Sequence, residues 1–395
     1  MSWGEQAGIL GAGVHVITRI YVHNFLCFVN FEIGLSRINL LLGPNGAGKS
    51  TIFHVLDRLV RFIVREGRVA DLFPLRDVTR WETATGSQVQ HFAFEMKDKE
   101  GGIYQYTLNI EHDPARRLSW VREERLSWGG RPLLHVERGE ARLYDDSHGE
   151  GPKFPMDWNQ SGVGFLQEQY SPSKLTGFKE QLRRVFVLQM NPANMQTETL
   201  EEADFLQRDL SNFASWYRYQ SQVNTGNMVV LFKRLADILP GFHSLKLKPA
   251  GEAKILAVDF KPAGGKIFEI PFNALSDGQR ALIVLYAIQA FLSDDQPATL
   301  CVDEPENFLA LPEIQPWMDS MEDLSENSGH QLLIISHNPG LINFLAKDVG
   351  LWMERHQGTG PTRVKPISRS QEDIGLPLSE LIARGWLFQE GEGHA

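Results

Sequence analysis

The spacing of apolar residues predicts a strand, a loop and a helix in succession near the start of this chain. Residues 14–22 and 28–33 are typical of two strands joined by a short turn, and the apolar run 38–42 has the length of a buried strand. From Thr51 to Arg65, apolar residues recur at helical spacing until Gly67 ends the pattern. The residues between that strand and that helix therefore form a connecting loop.

The middle of the chain follows a different pattern. Between residues 88 and 145, short segments alternate apolar and polar residues and are separated by Gly or Pro, which predicts an antiparallel meander. Residues 146–175 are rich in Gly, Pro, Ser and Asp and predict a long loop or a boundary. A helical stretch is expected from about 200 to 239, and it lacks the sustained heptads of a coiled coil.

The last third of the chain alternates helical and strand-like segments. The segment 275–280 opens an apolar helix at 281–291. Two apolar runs follow at 299–302 and 331–335, each with the length of a buried strand, and a short helix is expected after Pro339. Strands that alternate with helices predict an α/β arrangement.

Composition places the chain among ordinary globular proteins. It has 395 residues, 42% of them hydrophobic, and a net charge of −10 that permits only a local basic patch. Cys27 and Cys301 lie in strand-like segments and are expected to be reduced core residues. No secretory signal is evident, and the longest apolar stretch, 281–288, is far shorter than the roughly 20 residues of a membrane span. We expect a soluble cytoplasmic protein with no membrane segment.

The connecting loop carries a phosphate-binding motif. Residues 43–51 read Gly-Pro-Asn-Gly-Ala-Gly-Lys-Ser-Thr, which fits G-x-x-x-x-G-K-[ST]. The glycines permit backbone conformations that point N–H groups at phosphate oxygens, and the helix N-terminus adds its positive dipole end. Lys49 is expected to reach the β- and γ-phosphates, and the Ser50 hydroxyl to bind Mg²⁺. The alternative is a glycine-rich turn with an incidental lysine. The expected nucleotide contacts are Asn45, Gly46, Ala47, Gly48, Lys49, Ser50 and Thr51.

Two further segments supply candidate catalytic groups. The strand at 299–302 leads into Asp303 and Glu304, an arrangement typical of a Walker B motif. Asp303 is expected to hold Mg²⁺ through water, and Glu304 to polarise the water that attacks the γ-phosphate, unless the pair is merely a solvated strand end. His337 follows the next strand and is expected at the carboxyl edge of the sheet, where α/β folds bind ligands. Lys49, Glu304 and His337 are the predicted catalytic residues.

In this order, the phosphate loop, the segment Leu-Ser-Asp-Gly-Gln at 275–279, the Asp303-Glu304 pair and His337 resemble the ABC-type ATPase heads of the SMC, RecF and OLD group of AAA-like ATPases. The segment 17–25 also resembles the opening strand of RecF-like proteins. The resemblance covers roughly residues 14–70 and 270–355. It implies a P-loop NTPase fold: an ABC-type head with a mixed sheet flanked by helices, plus an inserted antiparallel meander and a helical unit.

The resemblance also implies how the parts divide and assemble. The expected divisions are 1–75 and 269–395 for the two parts of the ATPase head, 76–175 for the β insertion and loop, and 176–268 for the helical insertion. In such heads the signature segment contacts ATP bound to the opposite subunit, so Ser276, Gly278 and Gln279 are expected to complete the partner's site. A head-to-head homodimer would then enclose two ATP molecules with Mg²⁺.

The chain departs from the family pattern at two places, and a third family feature has only a candidate residue. RecF-like and SMC heads usually carry an Arg after the Asn-Phe of the first strand, where this chain has Leu26. The segment 306–312 lacks the His often found after Walker B in the OLD-like branch. Gln189, which follows an apolar run, is the best candidate for the Q-loop glutamine of ABC-type ATPases.

Three functions fit these motifs. The first is an ATPase, slow or partner-stimulated, whose dimerising head drives or gates a nucleic-acid process of the DNA repair or phage defence type. The second is the ATP-binding subunit of a membrane transporter, but such subunits place the signature much closer to the phosphate loop than it lies here. The third is an ATP sensor that scarcely hydrolyses, against which the intact Asp303-Glu304 pair argues. Any effector activity would come from a separate protein.

Direct contact with DNA or RNA has weaker support from the sequence. Basic residues with two interleaved tryptophans occur in the meander, and a second small basic group follows near 179–184. Such groups are more often a solvated face than a nucleic-acid surface. The first group comprises Arg116, Arg117, Trp120, Arg122, Arg125, Trp128 and Arg131, and the second comprises Lys179, Arg183 and Arg184.

Overall fold

A computed structural model describes residues 16–65, 67–81, 88–167, 171–292, 296–367 and 376–384. Within them, the strands in chain order are β1 (Val16–His23), β2 (Phe31–Gly34), β3 (Ile38–Leu42), β4 (Val89–Lys97), β5 (Ile103–Asp113), β6 (Leu118–Trp128), β7 (Arg131–Glu137), β8 (Glu140–Tyr144), β9 (Glu150–Pro155), β10 (Val185–Gln189), β11 (Glu198–Thr199), β12 (Phe242–Ala250), β13 (Ala253–Phe260), β14 (Phe268–Pro271), β15 (Thr299–Asp303), β16 (Gln331–Ile335), β17 (Gly350–Arg355) and β18 (Thr362–Pro366).

The helices alternate with these strands mainly at the two ends of the described chain. In chain order they are α1 (Lys49–Val64), α2 (Val69–Leu72), α3 (Gly162–Phe165), α4 (Ser173–Arg183), α5 (Phe213–Val223), α6 (Thr225–Ile238), α7 (Asp277–Phe291), α8 (Leu311–Ser328), α9 (Pro339–Val349) and α10 (Leu378–Ala383). None of these described helices has the length and hydrophobicity that crossing a bilayer requires.

A mixed six-stranded sheet forms the centre of the molecule. Its order is β10-β15-β16-β3-β17-β18, with every neighbouring pair parallel except the antiparallel β17–β18 hairpin. The four middle strands β15, β16, β3 and β17 run in the same direction, so their carboxyl ends meet at one edge. Ligands of open α/β sheets bind at that edge.

An eight-stranded antiparallel sheet packs on one side of the central sheet. Its order is β2-β1-β4-β5-β6-β7-β8-β9, so the N-terminal hairpin and the predicted meander form one continuous sheet. A smaller sheet of β11, β13, β12 and β14 lies with helices α5 and α6 in the middle of the chain. The predicted fold class, an α/β P-loop head with a mixed sheet, helices and an antiparallel meander, is confirmed.

Two hydrophobic cores cover the two faces of the central sheet. One core contains Leu41, Cys301 and Leu333 together with α1 and the antiparallel sheet. The other contains Leu40, Val302 and Ile334 together with α7, α8 and α9. Successive strand residues point to opposite faces of the sheet. Because both faces are buried, the sequences of these strands are continuous apolar runs. Both cysteines are buried and free.

Several element predictions differ from the structure. The predicted loop at 146–175 contains β9 and α3, and the predicted helix from residue 200 begins only at Phe213. The first two residues of the predicted strand 14–22 lie outside the described residues. Strand pairing crosses two of the expected divisions, because β1 pairs with β4 and β10 pairs with β15. The four-part division of the chain remains a prediction.

Candidate nucleotide site

A cavity of about 540 Å³ opens at the carboxyl edge of the central sheet. Its lining residues come from the phosphate loop, the ends of β15 and β16, the turn after β1, the segment after α2, and β17. The lining residues are Leu26, Cys27, Asn45, Gly46, Gly48, Lys49, Ser50, Thr51, Arg76, Val78, Arg80, Trp81, Glu304, Ile335, His337 and Arg355.

Two glycines of the phosphate loop have no room for a side chain. At Gly43, φ is 142° and a Cβ atom would lie 2.0 Å from the Met353 carbonyl oxygen. At Gly48, φ is 100° and a Cβ atom would lie 2.7 Å from the Cys27 sulfur. The loop is also anchored to β18, since the Thr362 hydroxyl donates to the Ala47 carbonyl at 2.8 Å. Close backbone packing and positive φ together require glycine at these positions.

The Lys49 ammonium lies inside the loop. It donates to the carbonyl oxygens of Gly43 at 2.7 Å and Pro44 at 3.1 Å, and the residue is only 6% exposed. Burial lowers the pKa of Lys49, and the charges of Asp303 and Glu304 partly offset that effect. The cation therefore faces the two acidic residues of the predicted site.

Asp303 is buried at the end of β15 between a hydroxyl and a guanidinium. The Ser50 hydroxyl hydrogen-bonds to its carboxylate, and the Arg208 guanidinium approaches it at 3.7 Å. Burial raises the pKa of Asp303, whereas the Ser50 hydrogen bond and the Arg208 charge lower it. The two predicted Mg²⁺ ligands, Ser50 and Asp303, are thus in direct contact. No motif in the sequence pointed to Arg208.

Glu304 projects from a strained position beside the cavity. Its φ of 51° lies in the left-handed region, and its backbone N–H donates to the Ile335 carbonyl at 2.9 Å. One carboxylate oxygen accepts a hydrogen bond from the Asn307 amide at 2.7 Å, and the other lies 3.8 Å from His337 Nε2. The structure therefore brings Glu304 and His337 together, with both side chains partly exposed.

A second carboxylate, which the sequence did not single out, holds the loop that carries His337. Glu306 Oε1 accepts hydrogen bonds from the Ser336 hydroxyl at 2.5 Å, the His337 N–H at 3.1 Å and the Asn338 N–H at 3.2 Å. Its other oxygen, Oε2, is buried with no hydrogen-bond partner among the described residues. The only sequence signal is its position, two residues after Glu304.

The signature segment lies outside this cavity. Ser276 is the N-cap of α7: its hydroxyl accepts from the Gln279 N–H at 3.2 Å, and the Gln279 side chain accepts from the Ser276 N–H at 3.1 Å. Gly278 packs against the loop after β15, since a Cβ atom there would lie 2.9 Å from the Phe308 carbonyl oxygen. Ser276 is exposed, and none of Ser276, Gly278 and Gln279 lines the cavity of its own chain.

Four further residues of the cavity were missed by the sequence reasoning. Arg76, Arg80 and Trp81 come from the segment after α2, and Arg355 comes from the end of β17. The Arg355 guanidinium lies 4.7 Å from the centroid of the Trp81 ring. The short basic and aromatic run at 76–81 could have indicated this contribution, but no motif links it to residue 355. Leu26, where related heads carry an Arg, lines the same cavity.

The Q-loop candidate lies next to the site. Gln189 is the last residue of β10 and is paired in register with Asp303. Its backbone N–H donates to the Arg208 carbonyl at 2.8 Å, so it is joined to the segment that also contacts Asp303. Its assignment as the Q-loop glutamine remains a prediction.

The predicted basic clusters separate in the structure. In the first, Arg116 lies 3.6 Å from Asp113, and Arg125 is paired with Glu123. Arg122 instead lines a cavity of about 260 Å³ with Glu111, Trp120, Arg138 and Trp158. In the second cluster Lys179 is buried and donates to the Leu166 carbonyl at 2.7 Å, and Arg184 donates to the Pro297 carbonyl. In the second cluster Lys179 is therefore buried and Arg184 half-buried, and only Arg183 is exposed.

Sequence comparison places ATPase similarity on both halves of the chain. The family described as "AAA domain, putative AbiEii toxin, Type IV TA system" matches residues 171–343, and a family described as "AAA domain" matches residues 19–57. The shorter match contains the phosphate loop, and the longer one contains the signature segment, Asp303, Glu304 and His337. No curated protein sequence matches the chain.

Structural comparison gives the fold. The chain resembles an SMC head bound to the C-terminal winged-helix domain of ScpA, with a TM-score of 0.53, 15% identity, and coverage of 90% of this chain and 98% of that one. Weaker likenesses are to the SMC head of Thermotoga maritima (TM-score 0.44, 13% identity, coverage 89% and 98%) and to a Pyrococcus furiosus SMC head with an extended coiled coil (0.47, 14%, 89% and 96%). The predicted resemblance to SMC and RecF-like ATPase heads is confirmed: the chain has the fold of an SMC-type head, with AAA-domain sequence similarity in both parts of the head.

Proposed function

We propose that this protein binds and hydrolyses ATP, and that ATP-dependent head-to-head dimerisation gates a nucleic-acid-related process. One observation carries the proposal: the phosphate loop, Glu304 and His337 line one cavity and Asp303 contacts Ser50 of that loop, while the signature at Ser276 is exposed and lies outside the cavity. An anion-binding helix start that has no phosphate site in its own chain is suited to the phosphate site of a second copy.

The proposed triphosphate contacts follow from the phosphate loop. Five loop residues besides Lys49 line the cavity: Asn45, Gly46, Gly48, Ser50 and Thr51. Ala47 is buried, and its contribution would come from its backbone N–H. Because Lys49 is already held by two loop carbonyls, it would need only a small shift of its ammonium to meet a phosphate oxygen. A cation that is largely buried attracts an anion more strongly than one surrounded by water.

The donor set near Ser50 fits Mg²⁺. A hydroxyl and a carboxylate in direct contact supply hard oxygen ligands, and Mg²⁺ completes its shell with water and phosphate oxygens. The described residues contain no cluster of three or more His, Cys, Asp or Glu, as expected for a metal held jointly with a substrate. When bound, Mg²⁺ would neutralise charge on the phosphates.

Glu304 is the proposed group that orients the attacking water. Its carboxylate reaches the cavity at the end of β15, and Asn307 fixes one of its oxygens. In the proposed reaction the water oxygen bonds to the γ-phosphorus, the bond to the β–γ bridging oxygen breaks, and Glu304 accepts the water proton. His337, near the other oxygen of Glu304, would contact the γ-phosphate and keep the carboxylate aimed.

The downstream role is proposed from a second surface and from related heads. Trp120, Trp158, Arg122 and Arg138 gather around one small cavity on the antiparallel sheet, and such pairing of aromatic rings with cations suits single-stranded DNA or RNA. An SMC head of similar fold is bound to a domain of ScpA. We propose that a separate effector protein binds this protein as well. The transporter alternative is not favoured, because the fold is that of an SMC head.

ATP binding and turnover test the catalytic part of the proposal. Lys49→Ala should abolish ATP binding, and Glu304→Gln should bind ATP with near-normal affinity while phosphate release falls by a factor on the order of a hundred or more. Lys153→Ala, which removes an exposed ion pair with Glu140 in the β8–β9 hairpin, is the matched control. Isothermal calorimetry and a phosphate-release assay measure both quantities. Micromolar ATP affinity retained by Lys49→Ala would refute the loop assignment.

A further inference from the structure

We propose that Trp81 is the stacking platform for the base of the bound nucleotide, held in position by Arg355, and that it makes the site prefer purine over pyrimidine triphosphates. This inference rests on the proposed nucleotide site. It concerns the base, which is the part of the nucleotide that the phosphate loop is not expected to contact. Neither residue belongs to the phosphate loop, the signature, or the Asp303-Glu304 pair.

The strand order sets the direction of the nucleotide along the sheet edge. Across the edge, the order is β15, β16, β3 and β17, so Glu304 and Arg355 lie on opposite sides of the strand that carries the phosphate loop. With the γ-phosphate directed at Glu304, the rest of the nucleotide points towards the end of β17. Three strand spacings separate β15 from β17, roughly 14 Å, which is the length scale of an extended nucleotide.

The backbone near Trp81 is fixed to the turn after β1. The Leu26 N–H donates to the Asp77 carbonyl at 2.7 Å, and Phe25 forms a bridge with Val78. The Asp77 side chain is in turn held by Arg58 of α1 at 2.6 Å. Trp81 comes three residues after Val78, so the segment that carries it is anchored to the turn after β1 and, through Asp77, to the helix that begins at the phosphate loop.

The ring and its neighbour have the surfaces that a base requires. Trp81 lines the cavity and is 40% exposed, although tryptophan is usually well covered. The Arg355 guanidinium covers the ring at 4.7 Å, and its Nη1 is buried with no hydrogen-bond partner among the described residues. A cation over one face holds the ring plane and leaves the indole surface within the cavity for stacking. A bicyclic purine overlaps an indole more fully than a pyrimidine does.

The turn after β1 brings an apolar residue rather than a cation to the cavity. Leu26 of that turn lines the cavity. The cationic and aromatic groups on this side of the loop come instead from the segment after α2 and from β17. Trp81 and Arg355 therefore supply binding surface that this chain does not obtain from its first strand.

Comparison of ATP with inorganic tripolyphosphate separates base binding from phosphate binding. Calorimetry with Mg²⁺ would be performed on the full chain and on Trp81→Ala, Trp81→Phe and Arg355→Ala. We expect Trp81→Ala to weaken ATP roughly ten- to hundredfold, the range for one base–aromatic stack, and to leave tripolyphosphate unchanged. Trp81→Phe should retain most of the ATP affinity. Arg355→Ala should reduce the preference for ATP over CTP, as a positioning residue would.

Several outcomes would overturn the inference. Phe268→Ala, which removes an exposed aromatic ring of β14 outside the nucleotide cavity, is the matched control and should bind both ligands like the unaltered protein. Equal weakening of ATP and tripolyphosphate in both Trp81 variants would mean that Trp81 only supports the phosphate site. If Lys49→Ala abolishes ATP binding but Trp81→Ala does not weaken it, the stacking role of Trp81 is refuted and the assignment of the nucleotide site is retained. If the unaltered chain binds neither ligand, the proposed function fails and the platform with it.

Discussion

Among single residues, Glu306 best shows how local chemistry shapes the site without touching its ligand. Its carboxylate accepts hydrogen bonds from one hydroxyl and two backbone N–H groups of the turn after β16. Hydrogen bonds to a charged acceptor are stronger than neutral ones, so these contacts fix the turn from which His337 projects. Glu306 is therefore a positioning residue for the pair formed by Glu304 and His337.

Replacement of Glu306 should slow turnover more than it weakens binding. We expect Glu306→Ala to lower kcat about tenfold or more, because misplacing His337 removes stabilisation made mainly in the transition state, where about 1.4 kcal/mol is a factor of ten. The KM for ATP should change little. Steady-state kinetics check this, with Glu150→Ala as a control, since Glu150 is paired with Arg142 in the β8–β9 hairpin. A raised KM with normal kcat would contradict the positioning role.

The sequence identified the candidate site where its residues are contiguous, and missed it where they are not. Lys49 and Ser50 follow from the loop pattern, and Asp303 with Glu304 from an apolar strand that ends in two acids. Arg208, Trp81 and Arg355 reach the same region from segments far apart in the chain, and only the strand order brings them together. The roles of all these residues remain predictions.

At the scale of elements, alternation along the strands explains most of the fold. β4 and β5 bury every second residue, which is why the meander could be predicted from the sequence. One of the buried positions of β5 is His112, which hydrogen-bonds to Gln90 and Ser119 and is 3% exposed. Burial lowers the pKa of His112 from 6.5 to about 4.

This buried histidine makes the stability of the antiparallel sheet pH-dependent. The unfolded chain protonates His112 near pH 6.5 and the folded chain only near pH 4, so the free energy of unfolding should fall as pH drops through this window. The contribution is at most about 3 kcal/mol, at 1.36 kcal/mol per pKa unit. His112→Gln should flatten the pH dependence of urea unfolding between pH 7 and 4. An unchanged slope, relative to the exposed His243→Gln control, would contradict this.

Elements that lack a clear period were predicted less well. β10 consists of four apolar residues followed by Gln189, and the sequence does not indicate that it becomes the edge of the central sheet beside β15. Residues 200–212 have apolar spacing close to helical but form turns that pack Phe205 against Arg65 of α1. In both cases, tertiary contacts rather than local pattern decide the structure.

For the whole molecule, the central sheet separates two cores and joins the nucleotide cavity to the signature helix. Arg208 contacts Asp303, and the N–H of Gln189 donates to the Arg208 carbonyl. Further along the same segment, the Pro192 carbonyl accepts from Arg280 of α7. These contacts form a continuous physical connection from the Walker B strand to the start of the signature helix. A change at Asp303 on nucleotide binding could therefore alter the surface presented to a second head.

A nucleic-acid role should be visible in the salt dependence of ATPase activity. We expect single-stranded DNA or RNA to stimulate hydrolysis, and the stimulation to weaken as salt rises because phosphate contacts release counterions. Trp120→Ala with Arg122→Ala should reduce this stimulation without changing basal ATPase activity, since both residues lie outside the nucleotide cavity. ATPase titrations at several salt concentrations measure the effect. Stimulation unaffected by the double substitution would locate nucleic-acid contact elsewhere.

If the signature of one chain completes the nucleotide site of another, a variant that binds ATP without hydrolysing it should accumulate as a dimer. Sedimentation velocity of Glu304→Gln with saturating ATP and Mg²⁺ should show a dimer that is absent without ATP. Adding Ser276→Arg to that variant should return it to a monomer while calorimetry still detects bound ATP, because Ser276 is exposed and outside its own cavity. A Glu304→Gln protein that binds ATP fully and sediments only as a monomer would contradict the account.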